Sequence, residues 1–174
     1  MALALCLLFD REGDRVIRRL WSRLEERGVR TPLTHTHGRH RPHISLAVAR
    51  SWDLERVLDA VLALPPGEPF GLVVQGTLAF PRGRAALASA VTAELALRQE
   101  AAAYAMLDSG ADLHHHYLPG RWVPHVSVAT GGNAAGLGMV AVTVNDALPL
   151  SLQVDRAALV DSSTGESWPL PALP

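Results

Sequence analysis

Disulfides are excluded at once: 174 residues contain one cysteine, Cys6, which has no partner within the chain. A reducing interior follows as the expectation, with cytoplasmic residence and a fold held by its core alone. A strong charge of either sign is also missing. The net charge is −1, so no generally basic surface grips a long nucleic-acid backbone, and an RNA ligand is expected to be a short piece or an end. Long hydrophobic runs are absent too. The apolar stretch Ala2 to Phe9 lacks a basic leader and is stopped by Asp10-Arg11-Glu12; it is too short to span a bilayer and reads as a buried strand, with no membrane partner. No low-complexity linker divides the chain, so residues 1–174 are expected to form one domain, long enough to bury a sizeable core.

What is present is a repeat. Pro42 is followed by His43-Ile44-Ser45-Leu46, and Pro124 by His125-Val126-Ser127-Val128, 82 positions later and about half the chain away. This is the pattern of an internal duplication. On a β-strand, residues two apart share a face at roughly 6–7 Å. His and Ser would then point one way and the apolar pair into the core. An imidazole that exchanges a proton near neutral pH sits beside a hydroxyl that donates to an anionic oxygen. Two such strands around one point would equip an in-line displacement at phosphorus: one His takes the nucleophile's proton, the other protonates the leaving oxygen, and the hydroxyls hold the non-bridging oxygens.

At these residues the chain resembles the two-histidine (2H) phosphoesterases, whose bacterial members are called 2′-5′ RNA ligase-like proteins or RNA 2′,3′-cyclic phosphodiesterases. Both tetrads match the family signature, and Thr77-Leu78-Ala79-Phe80-Pro81 is similar to its Phe-Pro turn. The resemblance implies an α+β fold of two pseudo-symmetric lobes, each an antiparallel sheet with outer helices, and a cleft between them. It also implies a metal-independent hydrolase that opens 2′,3′-cyclic phosphates on RNA or nucleotides to 2′-phosphates, with 2′-5′ ligation as the reverse. His43 and His125 would be catalytic, and Ser45 and Ser127 phosphate-binding. Neither a cofactor nor a metal is expected, the partner is a short RNA end or small nucleotide, and the protein is expected to be a monomer. Other readings are turnover of cyclic ADP-ribose phosphate or 2′-5′ oligonucleotides in the same site, a metallohydrolase, and a non-catalytic module that binds RNA ends.

Along the chain, Val16, Ile17, Leu20, Trp21 and Leu24 recur at helical spacing, predicting a helix from Asp14 to a stop at Gly28. Asp53 to Leu64 reads as a second helix, capped by Ser51 or Asp53 and closed by Pro65-Pro66-Gly67. Phe70 to Phe80 reads as a strand with an irregularity at Gly76. Arg84 to Ala90 has a helical composition, although the resemblance implies a short strand before a helix from Val91 to Met106. The loop Asp108 to Gly120 enters the second tetrad. Ala134 to Asn145 reads as a helix, and Leu150 to Val160 as a strand that pairs with Glu166 to Leu170 across a turn. Two strand-helix groups repeat without parallel βαβ regularity, which gives mixed α+β with antiparallel sheets.

Around the tetrads, Arg41 and Arg39 would share the face of His43 if that strand extends back to them, and Arg121 has the parity of His125; Arg41 and Arg121 are candidate phosphate contacts. Tyr117, Trp122 and Phe80 could stack a base, with core packing expected of Trp122 and Phe80. His35, His37 and His40 with His114, His115 and His116 could compose a metal site, but no Cys or carboxylate at a ligand spacing supports one.

Overall fold

A computed structural model describes residues 2–174. The strands are β1 (Leu3–Phe9), β2 (His43–Ser51), β3 (Phe70–Phe80), β4 (Arg84–Ser89), β5 (Asp112–Leu113), β6 (His125–Thr130), β7 (Leu150–Asp161) and β8 (Ser167–Pro169). The helices are α1 (Arg11–Glu25), α2 (Leu54–Leu62), α3 (Ala93–Asp108) and α4 (Ala134–Asn145). All described pairings between these strands are antiparallel, in the order β5-β2-β1-β7-β3-β4-β6 with β8 on β7.

The two halves share one strand. β7 pairs with β3 from Leu150 to Val154 and with β1 from Val154 to Asp161, so a single extended segment carries the sheet from one tetrad's half to the other's. β1 is buried on both faces, as its apolar run requires. Leu3, Leu5, Leu7 and Phe9 enter the main core, and Ala4, Cys6 and Leu8 form a smaller cluster with Ala158. Ile44, Leu46, Val126 and Val128 are fully buried in the main core, which turns the alternate residues of β2 and β6 to the opposite face.

α1 lies one turn earlier than the apolar spacing suggests, because Asp10 caps it by accepting from the Gly13 N–H at 2.7 Å, while Ile17, Leu20, Trp21 and Leu24 face the core. Asp53, Thr92 and Asn133 cap α2, α3 and α4 in the same way; each such cap is worth about 1 kcal/mol. The Arg84–Ser89 segment is a strand despite its alanines, since β3 and β6 hydrogen-bond to it on both sides and tertiary pairing outweighs propensity. The Gly76 irregularity is a register shift against β4. β5 interrupts the expected loop. Its two residues pair with Ala49 and Ser51, and so short a strand leaves no alternation to read. The turn Pro81–Gly83 closes against the turn after β6: Gly83 has φ +68°, and a Cβ there would lie 2.2 Å from the Gly132 carbonyl carbon, so only glycine fits.

Candidate active site

The two tetrads adopt the same local geometry. The His43 Nδ1 lies 2.6 Å from the Arg41 carbonyl oxygen, and the His125 Nδ1 lies 2.7 Å from that of Val123. In each case the intervening proline fixes φ and aims the carbonyl two residues back at the ring. A carbonyl only accepts, so Nδ1 carries the proton in both rings and Nε2 is left to exchange one with a ligand. The structure places both rings at strand starts, half-buried, with Ser45 and Ser127 next on the same face.

β2 and β6 stand far apart in the strand order and nevertheless touch. Their histidines feel each other. Burial holds His125 below its ordinary value; the Val123 carbonyl opposes this, and the charges of His43 and Arg84 add to it. On His43, burial also works against the charged ring, but the nearby Cys6 sulfur and the Arg41 carbonyl prevail and push it up to about 9. The halves are thus chemically unequal. Cys6 faces Ser45 across the β1–β2 pairing, with its Sγ 3.9 Å from the serine Oγ, whereas the residue facing Ser127 is Ala86.

Tyr117 lies in a short 3-10 turn, His115–Tyr117. Burial, and then the nearby Cys6 sulfur, raise its hydroxyl to about 12 against an opposing hydrogen bond from Ser45, so it keeps its proton at neutral pH. Buried Gln99 on α3 fixes that turn: its amide donates to the Tyr117 carbonyl at 2.9 Å and to the Leu46 carbonyl at 3.2 Å. Arg41 and Arg121 are exposed and precede the strands, which begin at His43 and His125. The carbonyl of Arg41 touches the site. Trp122 is partly buried against the main core, as expected, with its indole donating to the Ser45 carbonyl at 2.9 Å. Phe80 differs from its expected core role, since its ring lies 5.1 Å from that of His125.

Three contributors escape sequence reasoning: Arg84, Cys6 and the contact of Phe80. Arg84 begins β4, pairs with Phe80 and Thr130, and alternates with Ala86 and Ala88, which face Ser127 and His125. Only the register between strands shows that these residues share a face.

The six remaining histidines do not converge. The rings of His35 and His37 lie beside His40 with centroids at 5.9 and 4.2 Å, and His40 is pushed down to about 4 by burial and then by His37, His43 and His35. Among the described residues, the one cluster with metal-ligand proximity is His114, His115 and His116, whose donor atoms lie within 4.8 Å of one another. Arg50, Arg84 and Arg121 surround it and disfavour a cation. A cavity of about 320 Å³ between β3 and α4, lined by Gln75, Thr77, Asn145 and neighbours, holds no titratable side chain. No described helix is long and apolar enough to cross a membrane.

The fold has solved counterparts. Two crystal structures of E. coli LigT superpose with TM-scores of 0.64 and 0.60 at 13% and 12% identity, covering 97% of this chain and 94% and 93% of theirs. TT0787 of Thermus thermophilus gives a TM-score of 0.60 at 16% identity over 99% of both chains. At such identities the likeness establishes the fold. Comparison with curated protein sequences gives no match. The family description that matches is the 2′-5′ RNA ligase superfamily, over residues 11–166. With paired tetrads on adjoining strands and nearly its whole length matched, the chain belongs to the 2′-5′ RNA ligase superfamily of two-histidine phosphoesterases.

Proposed function

We propose that the protein is a metal-independent phosphodiesterase that hydrolyses 2′,3′-cyclic phosphates on nucleotides or RNA ends to 2′-phosphates. The observation that carries this reading is the pair of Nδ1-anchored imidazoles, each beside a serine hydroxyl, on two strands in contact. The opposite electrostatic bias of the two rings supports distinct roles. His125, held toward its neutral form, takes a proton from water through Nε2 as the water oxygen bonds to phosphorus. His43, held toward its charged form, gives a proton to the 3′ oxygen as the P–O3′ bond breaks. The 2′ ester bond stays intact. Exchange with solvent then restores both rings. Ser45, Ser127 and the protonated Tyr117 donate to the non-bridging oxygens as the phosphorane forms.

Ligation is the same path run backwards, with a 5′-hydroxyl in place of water, and water at its bulk concentration favours hydrolysis. E. coli LigT has been crystallised with NADP+, which supports a nucleotide as the ligand class. A non-catalytic binding module has no use for two proton carriers of opposite bias. The test is incubation of a 2′,3′-cyclic mononucleotide with the protein in EDTA: a phosphomonoester should accumulate with turnover. A cyclic ring that persists for hours, or opens only when metal is restored, overturns the reading.

A further inference from the structure

The net charge of −1 conceals a segregation of sign. No Asp or Glu occurs between Glu26 and Asp53, between Glu68 and Glu94, or between Asp112 and Asp146, and these three windows hold both tetrads and all eight histidines. The acids lie on the helices, on β5 and β7, and at turns. The cleft and its rim are thus built from segments that bring positive charge and almost no compensating negative charge.

Within that rim, one flank has the composition of an anion site. Arg84 and Arg121 make no ion pair among the described residues, whereas Arg50 is paired with Asp112 at 3.0 Å. The His114 turn stands between them and adjoins the catalytic pair. His114 donates its backbone N–H to the Val48 carbonyl at 2.8 Å on the tetrad strand β2, and its turn ends in Tyr117. The three ring centroids lie 3.7 to 5.0 Å apart. Loss of solvent, then the crowding of the rings and the nearby arginines, keeps His114 and His115 largely neutral. Neutral imidazoles still donate N–H, and the arginines remain charged. Asp112, at the start of β5, is already taken by Arg50.

We propose that Arg84, Arg121 and the His114–His116 turn form a second phosphate subsite, which binds the phosphate on the 5′ oxygen of the terminal nucleotide while the cyclic phosphate occupies the two-histidine site. This rests on the function proposed above and narrows its substrate. A nucleotide with a 5′ phosphate is preferred over one with a free 5′ hydroxyl. That phosphate has two sources, an internucleotide linkage or a 5′ phosphomonoester.

The experiment compares kcat/KM for three substrates in EDTA: a 2′,3′-cyclic nucleotide with a 5′ hydroxyl, the same nucleotide 5′-phosphorylated, and a cyclic-ended dinucleotide. The dinucleotide or the 5′-phosphorylated form should exceed the 5′-hydroxyl form by about tenfold or more, chiefly through KM, with the advantage shrinking as salt rises. Whichever of the two leads identifies the source. In the double variant R121A/H115A the ratio should collapse toward one. Equal kcat/KM for all three substrates, or a ratio that survives in that variant, overturns the subsite. Should no cyclic substrate turn over, the proposed reaction fails, and the subsite is read by binding. Adenosine 5′-monophosphate, unlike adenosine, should shift the NMR signals of His114, His115 and His116. Absence of that shift, or stoichiometric uptake of zinc by the same three rings, overturns it.

Discussion

The indole N–H of Trp21, on α1, donates a 2.9 Å hydrogen bond to the carbonyl oxygen of Ser127, 106 residues further along the chain. The reciprocal brace runs from Trp122 to the Ser45 carbonyl over 77 residues. Each tetrad serine is thus held by a tryptophan of the opposite half. Among the described residues β6 ends the strand order and has β4 as its one partner strand, so its other edge needs donors from outside the sheet, and a buried carbonyl left without one costs roughly 1–3 kcal/mol.

Trp21→Phe keeps most of the ring's apolar bulk and removes the donor. Unfolding in urea should show a loss of about 1–3 kcal/mol, with a fall in turnover as the Ser127 strand loosens. Trp122→Phe should act in the same direction on Ser45. Unchanged midpoints and rates in both variants would show the braces to be incidental.

Replacing either His43 or His125 by alanine removes one proton carrier from a displacement that needs two. Each should lower kcat by roughly 10²- to 10⁴-fold, the range of a general acid or base. Circular dichroism and thermal melting should stay near those of the parent. A variant that keeps a tenth or more of the activity would deny that ring its role.

Activity against pH should be a broad bell. The acid limb follows His125, which must be neutral and titrates below the ordinary histidine value; the alkaline limb follows His43, which must be charged and titrates at about 9. Cys6→Ala removes the group that raises His43, so the alkaline limb should move toward neutrality while the acid limb holds. An alkaline limb that stays in place in this variant would refute the thiol's part in it.

His40 is held down to about 4 in the folded chain, against an ordinary value near 6.5. A depressed histidine favours folding while neutral, so its contribution is full above pH 6.5 and is lost as pH falls toward 4, where the unfolded chain binds the extra proton. The melting temperature should decline across that window, and less steeply in His40→Gln. Parallel declines in parent and variant would assign the acid sensitivity elsewhere.

The tetrads were legible because a two-residue alternation needs only a few positions to declare a face, and because Pro42 and Pro124 punctuate both copies. Helix positions were legible to within about a turn; Asp10 starts α1 before the apolar spacing becomes visible. The partners of the site were hidden for a different reason. Cys6 opposite Ser45, Arg84 on the strand face shared with the residues opposite Ser127 and His125, and Phe80 against the His125 ring depend on the register of one strand against another, which no single stretch of chain encodes. The sharing of β7 between the halves is hidden likewise, since nothing local to Leu150–Asp161 shows that it changes partners at Val154.

In the proposed reaction one phosphorus lies between His43 and His125 and is attacked by water in line with the 3′ oxygen. Hydrolysis of a 2′,3′-cyclic substrate in ¹⁸O-labelled water with EDTA, followed by ³¹P NMR, tests it most directly. The predicted product is a 2′-phosphate bearing one labelled oxygen, formed by the parent and absent with H43A and H125A. A 3′-phosphate, an unlabelled product, or turnover that disappears with the chelator would contradict it.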